Sequence, residues 1–325
     1  MGALAENPVV EGPQPVKALV EAARGRWRDI LESLGIPGEF LNRRNGPCPM
    51  CDGKDRWRFT DHDQAGMWWC NQCGTGDGFD LLQQFHGWDF KTTVNEVKKM
   101  LPNMPEARVV DQDAKLKIAR DNLNRFKQGV GKASESAEVK RYLESRALIP
   151  SPLLLAHSAA EYWQDGALTG TYAAMVGLVT SPDGKPLTYH RTFLADGAKA
   201  AVPSPRKLMP AAGDTTGAAI RLWPVSASMG IAEGIETALA CHQLFGIPTW
   251  SAISAGGLER FIPPDGIREL MIFADRDTSY TGQAAAYALA KRLVQHTAIR
   301  VRVSLPDDIG DFADQLIAKK NNGAA

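Results

Sequence analysis

No apolar run in the 325-residue chain approaches the roughly 18 residues that a membrane-spanning helix needs. The opening stretch, MGALAENPVVEGPQPV, lacks a basic segment followed by an apolar one, so no secretory signal peptide is expected. Charge of one sign is missing too: Lys+Arg and Asp+Glu both total 37, and net charge does not mark a nucleic-acid binder. Cysteine is scarce, at five, and four of the five fall in one paired motif, which excludes a disulfide framework and fits a reducing compartment such as the cytoplasm. The fifth, Cys241, stands alone in an apolar helical run and is expected to be a small core residue. A P-loop is also lacking. GVGKAS at 129–134 has Phe126 where that motif needs its first glycine and Ala133 where it needs Ser or Thr, so a flexible joint is expected there.

What is present is a soluble-protein composition, 44% hydrophobic and 23% charged, in a chain long enough for two or three domains. Cys48-x-x-Cys51 and Cys70-x-x-Cys73 are separated by eighteen residues. Two such turns bring four thiolates to one point, and an all-sulfur tetrahedron suits one structural Zn2+ with no open position for catalysis. His62 is a spare candidate, but the four-cysteine set is complete without it, and a surface histidine is expected. Basic residues are concentrated here: residues 41–60 hold Arg43, Arg44, Lys54, Arg56 and Arg58 against Asp52 and Asp55. A local patch can bind phosphate on a neutral protein. KDRWRFT and GMWWCN predict a small antiparallel sheet, with Lys54, Arg56 and Arg58 on one face and Asp55, Trp57 and Phe59 on the other. The cations would track phosphate while an aromatic such as Trp69 stacks on a base. The competing account, that Trp57, Phe59 and one of Trp68 and Trp69 form the ribbon's own core, is expected to hold for at least two of these aromatics.

Around this module the chain changes texture. Residues 1–15 read as a tail, and VKALVEAARGRWRDILESLG as helix ending at Gly35. FDLLQQFHG and TTVNEVKKML read as short covering helices, with an exit at Pro102 and Pro105. Two polar helices around a Gly/Ser break follow. TYAAMVGLVTSPDGKPLTYHRTFLAD predicts two strands about a Pro-Asp-Gly turn. From residue 228 strand-like and helix-like segments alternate, which implies an α/β domain with a parallel sheet flanked by helices.

Three of those strands end in acids: Glu233 after MGIA, Asp275 and Asp277 in LMIFADRD, and Asp307, Asp308 and Asp311 in LPDDIGD. The carboxyl ends of parallel strands form one edge, where ligands bind. Carboxylates with waters are the ligands of Mg2+. Helix capping accounts for Asp307 or Asp308, but it accounts poorly for D-x-D, because neighbouring charges repel without a cation. Glu233, before a turn-permitting Gly234, could accept a proton or complete the metal shell. Glu236 in the first helical turn is explained by the macrodipole.

GIAEGIETALA, SAISAGGLERF, LMIFADRD and DDIGDFAD resemble the successive motifs of the Toprim domain in phage and plasmid primases. CPMCDGKDRWRF and WWCNQCGTGDGFDLL resemble the zinc ribbon of the phage primase-helicase group, and LTYHRTFL and SPRKLM resemble the stretch that precedes Toprim there. The resemblance implies a catalytic glutamate at Glu233, a metal-binding pair at Asp275 and Asp277, and a further metal-site aspartate at Asp311. It implies a DNA primase of a mobile element, making short RNA on single-stranded DNA from ribonucleoside triphosphates by two-metal (Mg2+ or Mn2+) transfer. Since the sequence ends at Ala325 without a P-loop, a separate replicative helicase is expected as partner. The expected domains are an N-terminal helix (1–40), the zinc ribbon (41–105), a helical linker (106–150), a basic subdomain (151–227) and Toprim (228–325). Lys185, Arg191, Arg206, Lys207 and Arg221 are candidates for triphosphate or template, Arg191 foremost. The competing functions are Toprim strand cleavage, for which no recognisable tyrosine-bearing domain is seen, and a non-catalytic single-strand-binding helicase loader.

Overall fold

Helices and three short strands with one buried face make up the first of two units in the computed structural model, which describes residues 14–103, 112–164 and 166–323. The units divide between Asp111 and Gln112. The expected amino-terminal tail up to residue 13, and Pro105, lie outside the described residues. The first unit comprises α1 (Gln14–Ala23), α2 (Trp27–Ser33), β1 (Trp57–Phe59), β2 (Trp68–Cys70), β3 (Gly74–Gly76), α3 (Gly78–His86) and α4 (Phe90–Met100). Its three strands form an antiparallel sheet in the order β1-β2-β3. Alternation buries Trp57, Phe59 and Trp68 and leaves Arg58 and Trp69 outside. Trp57 and Trp68 stack with centroids 5.3 Å apart, and their core continues into Ile30, Leu31, Leu81, Leu82 and Val97 of the helices. Asp77 and Asp80 close a capping box at the start of α3, and Gly87 ends that helix in the left-handed conformation at φ 69°.

The second unit runs through α5 (Gln112–Lys127), β4 (Val130–Lys132), α6 (Ala137–Ser145), β5 (Leu155–Gln164), β6 (Ala167–Thr180), β7 (Pro186–Ala195), β8 (Ala198–Lys199), β9 (Arg206–Leu208) and β10 (Ala219–Ile220). It continues with β11 (Ser228–Ala232), α7 (Ile235–Phe245), β12 (Thr249–Ser251), α8 (Ala255–Arg260), β13 (Glu269–Phe273), α9 (Thr281–His296), β14 (Arg300–Ser304) and α10 (Phe312–Gly323). One mixed sheet carries all of these strands. β14, β13, β11 and β12 are parallel; β10 then pairs antiparallel with both β12 and β6, and β5, β4, β7, β8 and β9 extend the antiparallel part. The Pro-Asp-Gly turn joins β6 to β7 as its residues predict, with Gly184 at φ 87°. The joint expected at 129–134 is instead partly the edge strand β4, because its backbone pairs with β5. The polar helices α5 and α6 both belong to this unit, and Val139, Tyr142 and Leu143 of α6 are buried in its core.

Both faces of the parallel part are covered. Leu270 and Ile272 of β13 point into a core shared with α8 and α9, whereas Phe273 meets α7 and α10. Phe245, Phe273 and Phe312 pack as a trio with centroids 5.2 to 5.6 Å apart, which fastens the end of β13 to the start of α10. A second close fit governs the turn after β12. A methyl on Gly257 would stand 2.0 Å from the Ala252 carbonyl oxygen, a backbone atom that cannot swing aside. Gly257→Ala should therefore lower stability by roughly 1–3 kcal/mol. Gly131→Ala, with nothing within 4 Å of the added carbon, should change it by less than about 0.5 kcal/mol. Thermal denaturation of the two variants checks this ranking; equal melting would refute it.

Candidate active site and metal centre

In the first unit the sulfur atoms of Cys48, Cys51, Cys70 and Cys73 all lie within 4.8 Å of one another, and the Cys48–Cys73 and Cys51–Cys70 separations are 3.8 Å. A tetrahedron with Zn–S bonds of about 2.3 Å has edges of about 3.8 Å, so the donor set fits one structural zinc. The N–H of Met50 points at the Cys48 sulfur, and those of Gln72 and Cys73 at Cys70. Burial pushes the Cys70 thiol up, but the Cys73 and Gln72 N–H groups together with the Cys48 and Cys51 thiols outweigh it and hold it at about 7, toward the thiolate a metal needs. His62 is exposed and pairs with Asp63, outside this set. Cys241 is buried in the core of the second unit.

On the ribbon's open face Arg58 and Trp69 are cross-strand partners, and Trp69 is 43% exposed. Arg58 Nε donates to Asn45 Oδ1 and Arg56 Nη1 to Gln72 Oε1, and Lys54 stands exposed in the turn before β1. The strand is shorter than the sequence suggests, so Lys54 and Arg56 precede it rather than alternate within it.

In the second unit, parallel register sets Ala232 of β11 beside Phe273 of β13. Glu233 and Asp275 therefore leave neighbouring strands at the same carboxyl edge. A bridge between the backbones of Arg276 and Gly310, at 2.9 and 3.0 Å, ties the D-x-D loop to the loop before Asp311. The result is a pocket of about 160 Å³ that Glu233, Glu236, Asp275 and Asp311 share with Arg146, Lys199 and Arg206. Burial, then Glu233, Asp311 and Asp277, push Asp275 up to about 7. Its Oδ1 is buried with no hydrogen-bond partner. Burial also raises Glu233, with Asp277 adding to the rise and Arg206 and the Ala255 N–H opposing it.

The two aspartates of D-x-D are in different states. Asp277 is held below its ordinary value by the Ser279 hydroxyl and the Gly282 N–H, and its oxygens serve the first turn of α9. Repulsion without a cation thus describes Asp275, while capping accounts for the Asp277 oxygens. Asp311 Oδ1 accepts from the N–H groups of Ala313 and Asp314 at the start of α10. Among the described residues the cysteines are the group of three or more ligand atoms that lie within 4.8 Å of one another. At the acids, the buried and unpartnered Asp275 Oδ1 and the neighbouring carboxylates of Glu233 and Asp311 are oxygen donors of the kind a hydrated divalent ion takes.

The basic side of the pocket was mostly hidden in the sequence. Lys199 Nζ lies 3.2 Å from Glu236 Oε1, which also accepts the Tyr142 hydroxyl at 2.8 Å. Burial pushes Glu236 up, but Lys199 and that hydroxyl outweigh it and keep the carboxylate ionised. Glu236 is therefore a buried counter-ion rather than only a helix-dipole residue. Of the five cations proposed for triphosphate or template, only Arg206 lines the pocket. Arg191 and Lys207 pair across β7 and β9 one residue out of step with Thr192 and Arg206, and so occupy the other face of the sheet. Lys185 pairs with Asp183 in its turn, and Arg221 donates to Ser181 and Pro182 carbonyls and stacks on Trp250.

Two predictions follow from these centres. Cys70→Ser should release the metal and unfold the first unit while the second stays folded, because such binding is worth roughly 10 kcal/mol or more. Elemental analysis with circular dichroism checks this, and one zinc per chain in the variant refutes it. For Asp275 the folded value lies above the unfolded one. Native stability then falls as pH rises from about 4 to about 7 and stays reduced above. Asp275→Asn should consequently melt higher than wild type in magnesium-free buffer above pH 7, with the difference fading toward pH 4. A pH-independent difference would refute the charge repulsion.

Comparison with known proteins reports on the same regions. Residues 43–79 match the zinc-binding domain of primase-helicase, 228–321 match the Toprim domain, and 120–222 match a family described as a domain of unknown function. Among solved structures, the zinc-binding and RNA polymerase domains of Aquifex aeolicus primase are 13% identical with a TM-score of 0.40, over 94% of this chain and 83% of that one. A DNA primase domain from Pseudomonas aeruginosa is 14% identical with a TM-score of 0.40, over 65% of this chain and 77% of that one. A DnaG primase catalytic domain bound to single-stranded DNA is 13% identical with a TM-score of 0.42, over 66% of this chain and 80% of that one. The chain thus joins a zinc-binding domain of the primase-helicase type to a Toprim domain.

Proposed function

We propose that the protein is a DNA primase, synthesising short RNA on single-stranded DNA from ribonucleoside triphosphates. The observation that carries this reading is a single pocket lined both by the acids Glu233, Asp275 and Asp311 and by the bases Arg146, Lys199 and Arg206. Such a site matches a metal-bearing triphosphate, whose charge is part cation and part phosphate. Asp275 and Asp311, with Asp277 of the same D-x-D pair, would hold Mg2+ or Mn2+, which when bound activates the primer 3′-hydroxyl and neutralises the triphosphate. Asp277 adds negative charge beside them while holding the start of α9.

The reacting bonds are few. The 3′-oxygen forms a bond to the α-phosphorus, and the bond to pyrophosphate breaks. Glu233, raised by burial, is suited to take the hydroxyl proton. Arg146, Lys199 and Arg206 meet the charge that gathers on the departing pyrophosphate, and Glu236 with Tyr142 holds Lys199 in place. In the first unit Arg58 and Trp69, with Lys54 and Arg56 beside them, are assigned to the template, cation on phosphate and indole on base. A separate replicative helicase, a mobile-element setting and a cytoplasmic location belong to the same proposal. No helix among the described residues is long and apolar enough to cross a membrane.

Incubation of the protein with single-stranded DNA, NTPs and Mg2+ should give short RNA. Asp275→Asn should lose this by roughly a thousandfold or more, the scale of a lost electrostatic stabiliser. It should keep single-strand affinity, because the ribbon binds template by itself. Arg58→Ala should lower the salt slope of single-strand binding by roughly one unit. Primer synthesis by Asp275→Asn close to the wild-type rate would overturn the metal assignment. Absence of product from the wild type would leave a non-catalytic loader.

A further inference from the structure

Glu233 is the first residue beyond β11, whose ladders with β12 and β13 end at Ala232. It lies outside those ladders, and Gly234 after it leaves the intervening peptide plane free to turn. A side chain takes over the role of the ladder: Ser251 Oγ donates to the Glu233 main-chain carbonyl at 2.8 Å. Ser251 is the last residue of β12, fully buried, and pairs with Ala232 on one side and with Ile220 of β10 on the other. Its oxygen also accepts the Ile253 N–H at 3.2 Å. One hydroxyl thus links the carboxylate-bearing residue to the turn that follows β12.

That turn is strained. Ile253 has φ 77°, a left-handed conformation in which a β-branched residue is a marked outlier. Such a conformation persists only where its surroundings over-determine it. At its near end the Ile253 N–H is held by Ser251, and the Ala252 N–H donates to the Ala232 carbonyl at 2.8 Å. At its far end Ser254 Oγ accepts the Gly257 N–H at 3.1 Å, and the bare Gly257 leaves room for the Ala252 carbonyl. The chain is thereby turned back, and Ala255, the first residue of α8, presents its N–H to the Glu233 carboxylate. A buried hydroxyl needs only one partner to be satisfied. Ser251 instead spans two segments, both of which meet Glu233.

We infer that Ser251 is a positioning residue for Glu233: its hydroxyl fixes the Glu233 main chain, and the strained turn it braces brings the Ala255 N–H to the carboxylate, which is thereby aimed at the hydroxyl whose proton it takes. This role rests on the primase reading and deepens it. Ser251 touches none of the reacting atoms and acts through Glu233. A carboxylate held at both its main chain and its side chain is already near its reacting geometry, where a displacement of about 1 Å can cost roughly a hundredfold in rate.

Primer synthesis by the full chain, followed against NTP concentration, tests this in Ser251→Ala, Ala255→Pro, Glu233→Gln and the double variant Ser251→Ala with Glu233→Gln. Proline suits position 255, because the first N–H of a helix has no intrahelical partner and Ser254 before it is extended, at φ −158° and ψ 165°. Melting above the assay temperature verifies that each variant folds; should Ser251→Ala unfold, Ala255→Pro decides. Ser251→Ala and Ala255→Pro should each lower kcat by roughly tenfold or more while KM for NTP stays within about twofold. Added to Glu233→Gln, Ser251→Ala should cost less than about twofold, since the group it acts through is already gone. A kcat within about twofold of wild type in the folded single variants, or an undiminished loss in the Glu233→Gln background, would overturn the positioning role and leave the primase reading standing. A wild type that makes no RNA would overturn both.

Discussion

A carboxylate buried among other carboxylates needs either a proton or a cation, and Asp275 is in that position. Its Oδ1 is buried without a hydrogen-bond partner. The register of β11 against β13 brings Glu233 alongside; the Arg276–Gly310 bridge brings Asp311. The aromatic trio of Phe245, Phe273 and Phe312 keeps the strand end and the helix start from drifting apart to relieve the repulsion. Packing stabilises the arrangement that electrostatics opposes.

The cationic side depends on the same packing. Glu236 is buried at the start of α7, yet it stays charged because Lys199 and Tyr142 approach it from β8 and α6. These partners come from the 120–222 region, whereas Glu233, Asp275 and Asp311 come from 228–321. The pocket exists because β10 joins the antiparallel and parallel strands into one sheet. Neither region alone supplies both signs of charge.

The first unit is organised differently. Its three short strands present few side chains to a core, and two zinc-type ligands, Cys48 and Cys70, are themselves buried in it. A metal and a set of helices together do what a larger sheet would do alone. Exposure of Trp69 is the exception among the strand tryptophans, and its pairing with Arg58 gives the unit one surface that is both aromatic and cationic.

Local chemistry was legible from the chain. The C-x-x-C pairs, the turn at Gly184, the burial of Trp57, Phe59 and Trp68, and the alternating strands and helices after residue 228 all follow from spacing within a few residues, and such spacing is preserved on folding. Placement of Glu233 and Asp275 at strand ends was legible for the same reason. The sequence did not separate Asp275 from Asp277, because which oxygen is spent on a helix start depends on how α9 approaches the loop. It named Arg206 among five candidate cations, but it did not name Arg146 or Lys199, give Glu236 its buried partners, or set Arg191 and Lys207 on the opposite face. Composition and period determined which elements form and which residues end them. Only the tertiary structure decided which charges meet, since convergence of distant side chains depends on strand order and register, and these are set by contacts between segments far apart in the chain.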